Sequence, residues 1–556
     1  MDAFAESAAP LTVPRLFGRN AAEHPDRPAL TAGDRTWTWG EAEREVRSLA
    51  AGFAALGLRP GQTAVLMMSN RPEQWLADAA LAHLGAVPVA VAPALSTGDV
   101  GHVARHSRAR LLLLENAQHV RRSAAALRDA EGLEHVVVLD EQAIPDEDRR
   151  FRSWDALRAG GERLLAEDPG LVRRHADDVG PDDPVTVSYS QDPLGQQTGV
   201  VLTHRNVLAA ADARHRLTGA QPHSRTVCSL PMAHMAERAT SLYSAIHDIA
   251  HVHFCNGIGE VVDALPDIRP HTLVGVPRLW ERLAAKLRAS ADGHDPLAKI
   301  GLDATTWAAS GSAPLNREVP ELFAASGLEI FECWGLTETA GWTASGSPGS
   351  TRPGTAGRPL PGVQVRAEDG ELLVRGPMVC AGRLEDDGVI RSITDSGGWL
   401  RTGDAGSVDA DGFLSITGRK DELIVDADGQ HVSPDVVENA LRAHPLIGHA
   451  LVFGNGRPHL VALLVLDEEA APEWARQHGI DGTSPAELAR HPEVLAEVDR
   501  AVGAANSWLD ASGQVRGHRL LDRTWGAEGG ELGPSMRLRR HAIHDKYAEV
   551  LESLYS

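Results

Sequence analysis

Two short stretches combine residue types that could do chemistry. In CWGLTETAG, Cys333 to Gly341, an indole (Trp334) precedes a glycine-led turn (Gly335) carrying a hydroxyl and a carboxylate side by side, Thr337 and Glu338. A hydroxyl can donate to an oxyanion, and a carboxylate is the ligand that a hard cation such as Mg²⁺ prefers. In GWLRTGDAG, Gly398 to Gly406, Asp404 sits in a glycine-flanked turn, where a carboxylate can accept two hydrogen bonds from a ribose diol. Arg419, in DGFLSITGRKDELI, adds a charged donor fifteen residues further on. His234, in LPMAHMAER, lies on an apolar stretch that suits a packed core residue as well as a site residue.

The elements around these stretches alternate in type. WTWGEAEREVRSLAAGFAAL spaces its apolar residues at three and four, as an amphipathic helix does, while TAVLMMSN and ARLLLLE are short continuous apolar runs. Such runs predict strands buried on both faces, and helix–strand alternation predicts a largely parallel sheet. The block Pro181 to Glu338 repeats the pattern, with HTLVGVPRLWERLAAKLR a strand followed by a helix. After Thr339 the chain becomes dense in Gly and Pro, which predicts turns and short antiparallel strands. A new mixed unit (HVSPDVVENALRAHP, HALVFG, HLVALLVLD) follows a boundary near Gly418 to Glu422, and the last 50 residues are expected to be helical.

Composition narrows the function. With 556 residues, the chain is long enough for three to four domains at about 150 residues each. Its net charge of −22 repels nucleic acid and anionic membranes, so an anionic ligand must be held by a local site. The four cysteines (Cys228, Cys255, Cys333, Cys380) are scattered singly, against a zinc module or a disulfide scaffold. No apolar run is long enough to span a bilayer, and the N-terminal residues do not read as a signal peptide. A cytoplasmic protein is expected; oligomeric state is left open.

LPMAHMAER, GVPRLWER, SGSAPL, CWGLTETAG, GWLRTGDAG, DGFLSITGRKDELI and ELGPSMRLRR occur in that order. As an ordered set they resemble the adenylate-forming superfamily of acyl-CoA synthetases, peptide-synthetase adenylation domains and luciferases, and most of all bacterial long-chain fatty acid CoA ligases. The resemblance runs from about Leu16 to Tyr555. It implies an α/β fold: a large N-terminal AMP-binding domain (1–419) of two βα-layered subdomains plus a distorted β-barrel, and a small mobile α+β lid (420–556). It also implies ATP, Mg²⁺ and CoA as cofactors or co-substrates. By resemblance Thr337 touches the α-phosphate, Glu338 binds the metal and Trp334, where relatives usually have Tyr, stacks on adenine beside Gly335. Asp404 and Arg419 hold the ribose, Ser312, Ala313 and Pro314 edge the adenine, and His234 lies near the acyl carboxylate. The expectation that Asp404 and Arg419 serve ligand rather than core puts the stability cost of either alanine variant below about 1 kcal/mol.

The sequence also departs from the family pattern. The phosphate loop, Y-T-S-G-T-T-G-x-P-K-G-V in relatives, stands here as YSQDPLGQQTGV, Tyr189 to Val200. Ser190, Gly195 and Gly199 remain, but Asp192 puts a negative charge where anions should sit, Pro193 removes an N–H, Leu194 removes a hydroxyl and Thr198 replaces the lysine. The lysine of L-T-P-T-x-K, which bridges the carboxylate and the α-phosphate in relatives, is Arg537, whose planar fork differs from a compact ammonium. The T-A-G-G-K-N loop is DADGQH, Asp426 to His431. Three activities are consistent with this pattern: a fatty acid CoA ligase, an adenylating enzyme with an unusual substrate or acceptor (an amide ligase or a nitrite-activating diazotase), and a nucleotide-binding pseudoenzyme.

Overall fold

The apolar runs fold as strands covered on both faces. In the computed structural model, which describes residues 11–191, 197–289, 295–311, 315, 317–427, 430–468, 470–480, 484–526, 529–532 and 538–555, Thr63–Met67 and Leu111–Leu114 pair in parallel. Their side chains split by parity: Ala64, Leu66, Leu111 and Leu113 enter one core, Val65, Met67, Leu112 and Leu114 the other. With Val87–Val91, His135–Val138 and Phe151–Ser153 they complete a five-stranded, all-parallel sheet. The helix Trp39–Ala55 covers one face, and its start is fixed by a reciprocal cap between Thr38 and Glu41.

A second sheet has nine strands. Its parallel centre includes Arg225–Cys228, Thr272–Gly275, Trp307–Ser310 and Ile330–Trp334, and the antiparallel pairs Ala344–Ser345 and Arg358–Pro359 extend one edge. The expected strand–helix unit is present as Thr272–Gly275 followed by Pro277–Ala289. These two sheets are the two βα-layered subdomains.

The expected barrel takes another form: two four-stranded antiparallel sheets, with no closed barrel among the described residues. One joins Gln364–Glu368, Glu371–Arg375, Leu400–Val408 and Leu414–Arg419. The other joins Pro184–Gln191, Gln197–Thr203, Gly382–Leu384 and Ile390–Arg391. The Gly- and Pro-rich texture signals turns, and turn residues do not say whether the outer strands of two sheets meet.

The C-terminal unit is α+β. Leu460–Leu466 is its central strand, with Ala462 and Leu464 in one core and Val461, Leu463 and Val465 in another. The expectation of an all-helical last 50 residues is corrected: Val515–Leu521 is the third strand of this sheet, before the helices Arg540–Lys546 and Ala548–Ser553. Its sequence VRGHRLL shows charges every few positions because it is an edge strand with one solvated face. Among the described residues no helix is long and apolar enough to cross a membrane.

Candidate functional site

Several predicted residues meet in one cleft. It has a volume of about 650 Å³ and lies where Ile330–Trp334 ends, the strand Leu400–Val408 turns and the segment 538–542 crosses over. Ser190, His234, Trp334, Gly335, Thr337, Glu338 and Arg419 line it. Asp404 stands directly behind this wall. Gly195, Ser312, Ala313, Pro314 and Arg537 lie outside the described residues.

The turn after Trp334 is held by a side-chain hydroxyl and by backbone hydrogen bonds from within and beyond it. Leu336 N–H donates to Thr339 Oγ1 (3.0 Å), Thr343 N–H to the Trp334 carbonyl (2.9 Å), and Cys380 N–H to the Glu338 carbonyl (2.8 Å). A Cβ at Gly335 would fall 2.3 Å from the Gly341 carbonyl oxygen, so this tight turn requires glycine. The result presents Thr337 and Glu338 to the cleft.

Asp404 is tied to two of the residues expected to work with it. The Trp334 indole N–H donates to its Oδ2 (2.7 Å), and Arg419 Nη1 donates to its Oδ1 (3.2 Å) and to the Thr402 carbonyl (3.0 Å). Asp404 and Arg419 face each other in strand register, and Gly403 makes the approach with φ of +72°. The carboxylate is 9% exposed. Asp404 is therefore part of a buried network that orients the indole, so the expectation that it is dispensable for stability is revised.

His234 stands on a loop fixed by buried groups. Its Nδ1 accepts from Ala236 N–H (3.2 Å), capping a short helical turn. Glu237 accepts from Ser229 and Leu230 N–H (3.2 and 2.8 Å), and burial raises its pKa. Arg238 makes a two-pronged pair with Asp78 (2.6 and 2.7 Å) beneath them. Cys333 also lines the cleft, and burial pushes its thiol up to about 12, which rules against a thiolate nucleophile there.

The phosphate-loop candidates occupy the stem of a hairpin. Ser190 pairs with Thr198 and Tyr189 with Gly199. A Cβ at Gly199 would press on Val187 and Tyr189 (2.9 and 3.3 Å). Thr198 Oγ1 is buried and meets no partner among the described residues, so it faces inward rather than toward a ligand. Gln197 and Arg539 both donate to Asp99 Oδ1, the latter at 2.8 Å, linking the hairpin stem to the C-terminal unit.

Charge distinguishes this cleft from the rest of the acidic chain. Among the described residues five arginines line it (Arg383, Arg401, Arg419, Arg539, Arg540) against three glutamates. Each glutamate faces a cation. Glu371 meets Arg401 (2.9 Å) and Lys420 (3.6 Å), Glu422 meets Arg540 (3.1 Å), and Glu338 meets Arg383 Nη2 at 3.5 Å. The expectation that Glu338 holds Mg²⁺ thus runs into a guanidinium already beside the carboxylate, and this donor set does not fit a resident divalent ion. Sequence reasoning missed Arg383, which lies in no motif, and passed over Arg401, which stands in GWLRTGDAG three residues before Asp404. The one available signal was the pairing of an arginine with a motif carboxylate, which only the fold reveals.

Residues 17–383 match the model of the AMP-binding enzyme family, and residues 421–556 that of the AMP-binding enzyme C-terminal domain. A long-chain-fatty-acid–CoA ligase, FadD15, of Mycobacterium bovis is 31% identical over 94% of this chain and 93% of its own. A putative fatty-acid–CoA ligase, fadD11, of Mycobacterium tuberculosis is 33% identical over 68% of this chain and 74% of its own. The crystal structure of the anthranilate CoA ligase AuaEII with anthranoyl-AMP superposes with a TM-score of 0.75 at 18% identity, covering 99% of both chains. The motifs, the two-unit fold and these matches agree: the chain belongs to the AMP-binding enzyme family.

Proposed function

We propose that this chain is an ATP-dependent ligase that activates a long- or medium-chain fatty acid to its acyl adenylate and then to acyl-CoA. The observation that carries this reading is the cleft itself, where an indole, a carboxylate network suited to a ribose diol and an arginine-rich wall meet apolar residues such as Leu230, Met235, Val274 and Val276. In the first half-reaction the fatty carboxylate attacks the α-phosphorus and pyrophosphate leaves. In the second, the CoA sulfur attacks the acyl carbonyl and AMP leaves.

Under this reading Trp334 carries the adenine, with Ser312, Ala313, Pro314 and Gly335 at its edge. Asp404 and Arg419 take the ribose, Thr337 donates to the α-phosphate, and Ser190, Gly195, Thr198 and Gly199 belong to the loop around the outer phosphates. His234 sits at the acyl carboxylate. Arg537 supplies the charge between carboxylate and α-phosphate. Mg²⁺ would enter on the phosphates of ATP and reach Glu338 only by displacing Arg383. The boundary at 419/420 falls within the gap between the two family matches, 17–383 and 421–556, and a lid that rotates between half-reactions belongs to the same proposal. A cytoplasmic location is part of the same proposal.

The substitutions at Asp192, Pro193, Leu194 and Thr198 favour a second reading, a nucleotide-binding relative without ligase activity. Pyrophosphate release measured across fatty acids, aryl acids and nitrite, with and without CoA, separates them. Turnover with fatty acid that yields acyl-CoA supports the ligase. Turnover with nitrite or an aryl acid alone redirects the substrate class, and no turnover on any substrate supports the second reading.

A further inference from the structure

The phosphate side of the cleft has lost a loop lysine and, with Glu338 facing a guanidinium, its place for a metal ion. Some other group must neutralise a phosphate there if a nucleotide binds. Arg401, Arg419, Arg539 and Arg540 each donate side-chain hydrogen bonds to protein acceptors. Arg383 differs. Among the described residues its guanidinium makes no hydrogen bond: it stands 3.5 Å from Glu338 Oε1, and its Nε–H is buried without an acceptor. Its strand pairs with the outgoing strand of the phosphate-loop hairpin, Arg383 opposite Val200 and Leu384 opposite Gly199. The side chain is 38% exposed and opens on the cleft between Glu338 and that hairpin.

From this arrangement we propose that Arg383 is the α-phosphate-binding cation of this protein, taking over the role of the divalent ion at Glu338, so that a nucleoside monophosphate binds without metal. The inference rests on the nucleotide reading of the cleft. A guanidinium has five N–H donors, so it can keep one toward Glu338 while presenting others to phosphate oxygens. A partly exposed pair without a hydrogen bond is weak, and a phosphate can recruit the guanidinium at little cost. Glu338 then serves to aim Arg383.

The test is calorimetric titration of the full chain with AMP and, as a probe without phosphate, adenosine, each in excess Mg²⁺ and in EDTA. The wild type should bind AMP with affinities within about threefold of each other in the two conditions. Arg383→Gln should weaken AMP in EDTA by about 10- to 100-fold, the usual range for a charge-assisted contact, and leave adenosine unchanged. Mg²⁺ should then restore part of the AMP affinity, because Glu338 is released to meet it. Arg383→Lys should recover most of the loss. Wild-type AMP binding that collapses in EDTA overturns this inference alone, as does an Arg383→Gln variant that binds AMP like the wild type. Equal loss of adenosine and AMP in that variant also overturns it, since the residue would then be merely structural. Failure of the wild type to bind either probe in either condition overturns the nucleotide reading, and this inference with it.

Discussion

At one end of the cleft Asp404 accepts from the Trp334 indole and from Arg419, with Arg419 also bonded to the Thr402 carbonyl. At the other end Glu338 and Arg383 approach to 3.5 Å without a hydrogen bond, and Thr198 Oγ1 in the hairpin stem meets no partner among the described residues. The first end is preorganised by buried, charge-assisted contacts and has one geometry. The second is a loosely held charge pair that a ligand can rearrange. Under the proposed function these are the adenosine end and the phosphate end. Under that reading the chain places its rigidity at the nucleoside and leaves phosphate charge to groups able to move.

The largest expected effect falls on the charge that the proposed function assigns to Arg537. If the chain adenylates an acid, Arg537→Ala should slow that step by about 10²–10³, the usual cost of removing a preorganised charge from a transition state. AMP affinity should stay nearly unchanged, because rigid contacts to the nucleoside lie elsewhere. Arg537→Lys should preserve or raise the rate. A single-turnover measurement of acyl-adenylate formation checks both, and an Arg537→Ala enzyme as fast as wild type removes this residue from the chemistry.

Asp404 tests the rigid end. Replacing it by alanine strands a part-buried indole N–H and the Arg419 guanidinium, so it should cost about 1–3 kcal/mol of stability in denaturant unfolding, as well as about 100-fold in AMP affinity. The stability loss is the sharper readout. A variant that loses AMP binding at wild-type stability would mean that the carboxylate serves the ligand and not the network.

The reverse experiment adds rigidity and charge where they are missing. Asp192→Gly with Thr198→Lys removes a negative charge and adds a positive one around the outer phosphates. ATP should tighten by about tenfold while AMP, which lacks those phosphates, changes little. Equal tightening of both nucleotides would place the new lysine at the α-phosphate and erase the distinction between the ends.

Legibility from sequence follows the same division. The buried strands were readable because a run such as LLLL at Leu111–Leu114 fits a strand covered on both faces and little else. Trp334, Thr337, Glu338 and Arg419 could be placed together because each sits in a motif whose order implies a fold, and they do line one cleft. Contacts between motifs were not readable. Nothing in the spacing of Trp334 and Asp404 says that an indole N–H reaches that carboxylate, and this contact adds a structural task to the residue. Arg383 was invisible for a related reason, since its importance comes from strand pairing with the hairpin. Val515–Leu521 was misjudged because an edge strand's charges mimic the solvated face of a helix.

The smallest expected effect lies at the joint between the hairpin and the C-terminal unit. Asp99 receives hydrogen bonds from Gln197 in the hairpin stem and from Arg539 just after the segment that carries Arg537. Arg539 is 24% exposed and Asp99 13%, so solvent screens the pair in part and its net worth should be about 1 kcal/mol. If the lid rotates between half-reactions, this bridge exists in one arrangement and must break to reach the other. Arg539→Gln should then slow adenylate formation by about fivefold and leave thioester formation unchanged or faster, because the arrangement that it weakens is the one holding Arg539 at the cleft. Asp99→Asn should act in the same direction, and the double variant should be no slower than the slower single one, as expected when two substitutions remove one shared contact. Additive losses in that cycle would mean that Arg539 and Asp99 act independently, and the bridge would then be a surface pair without influence on the lid.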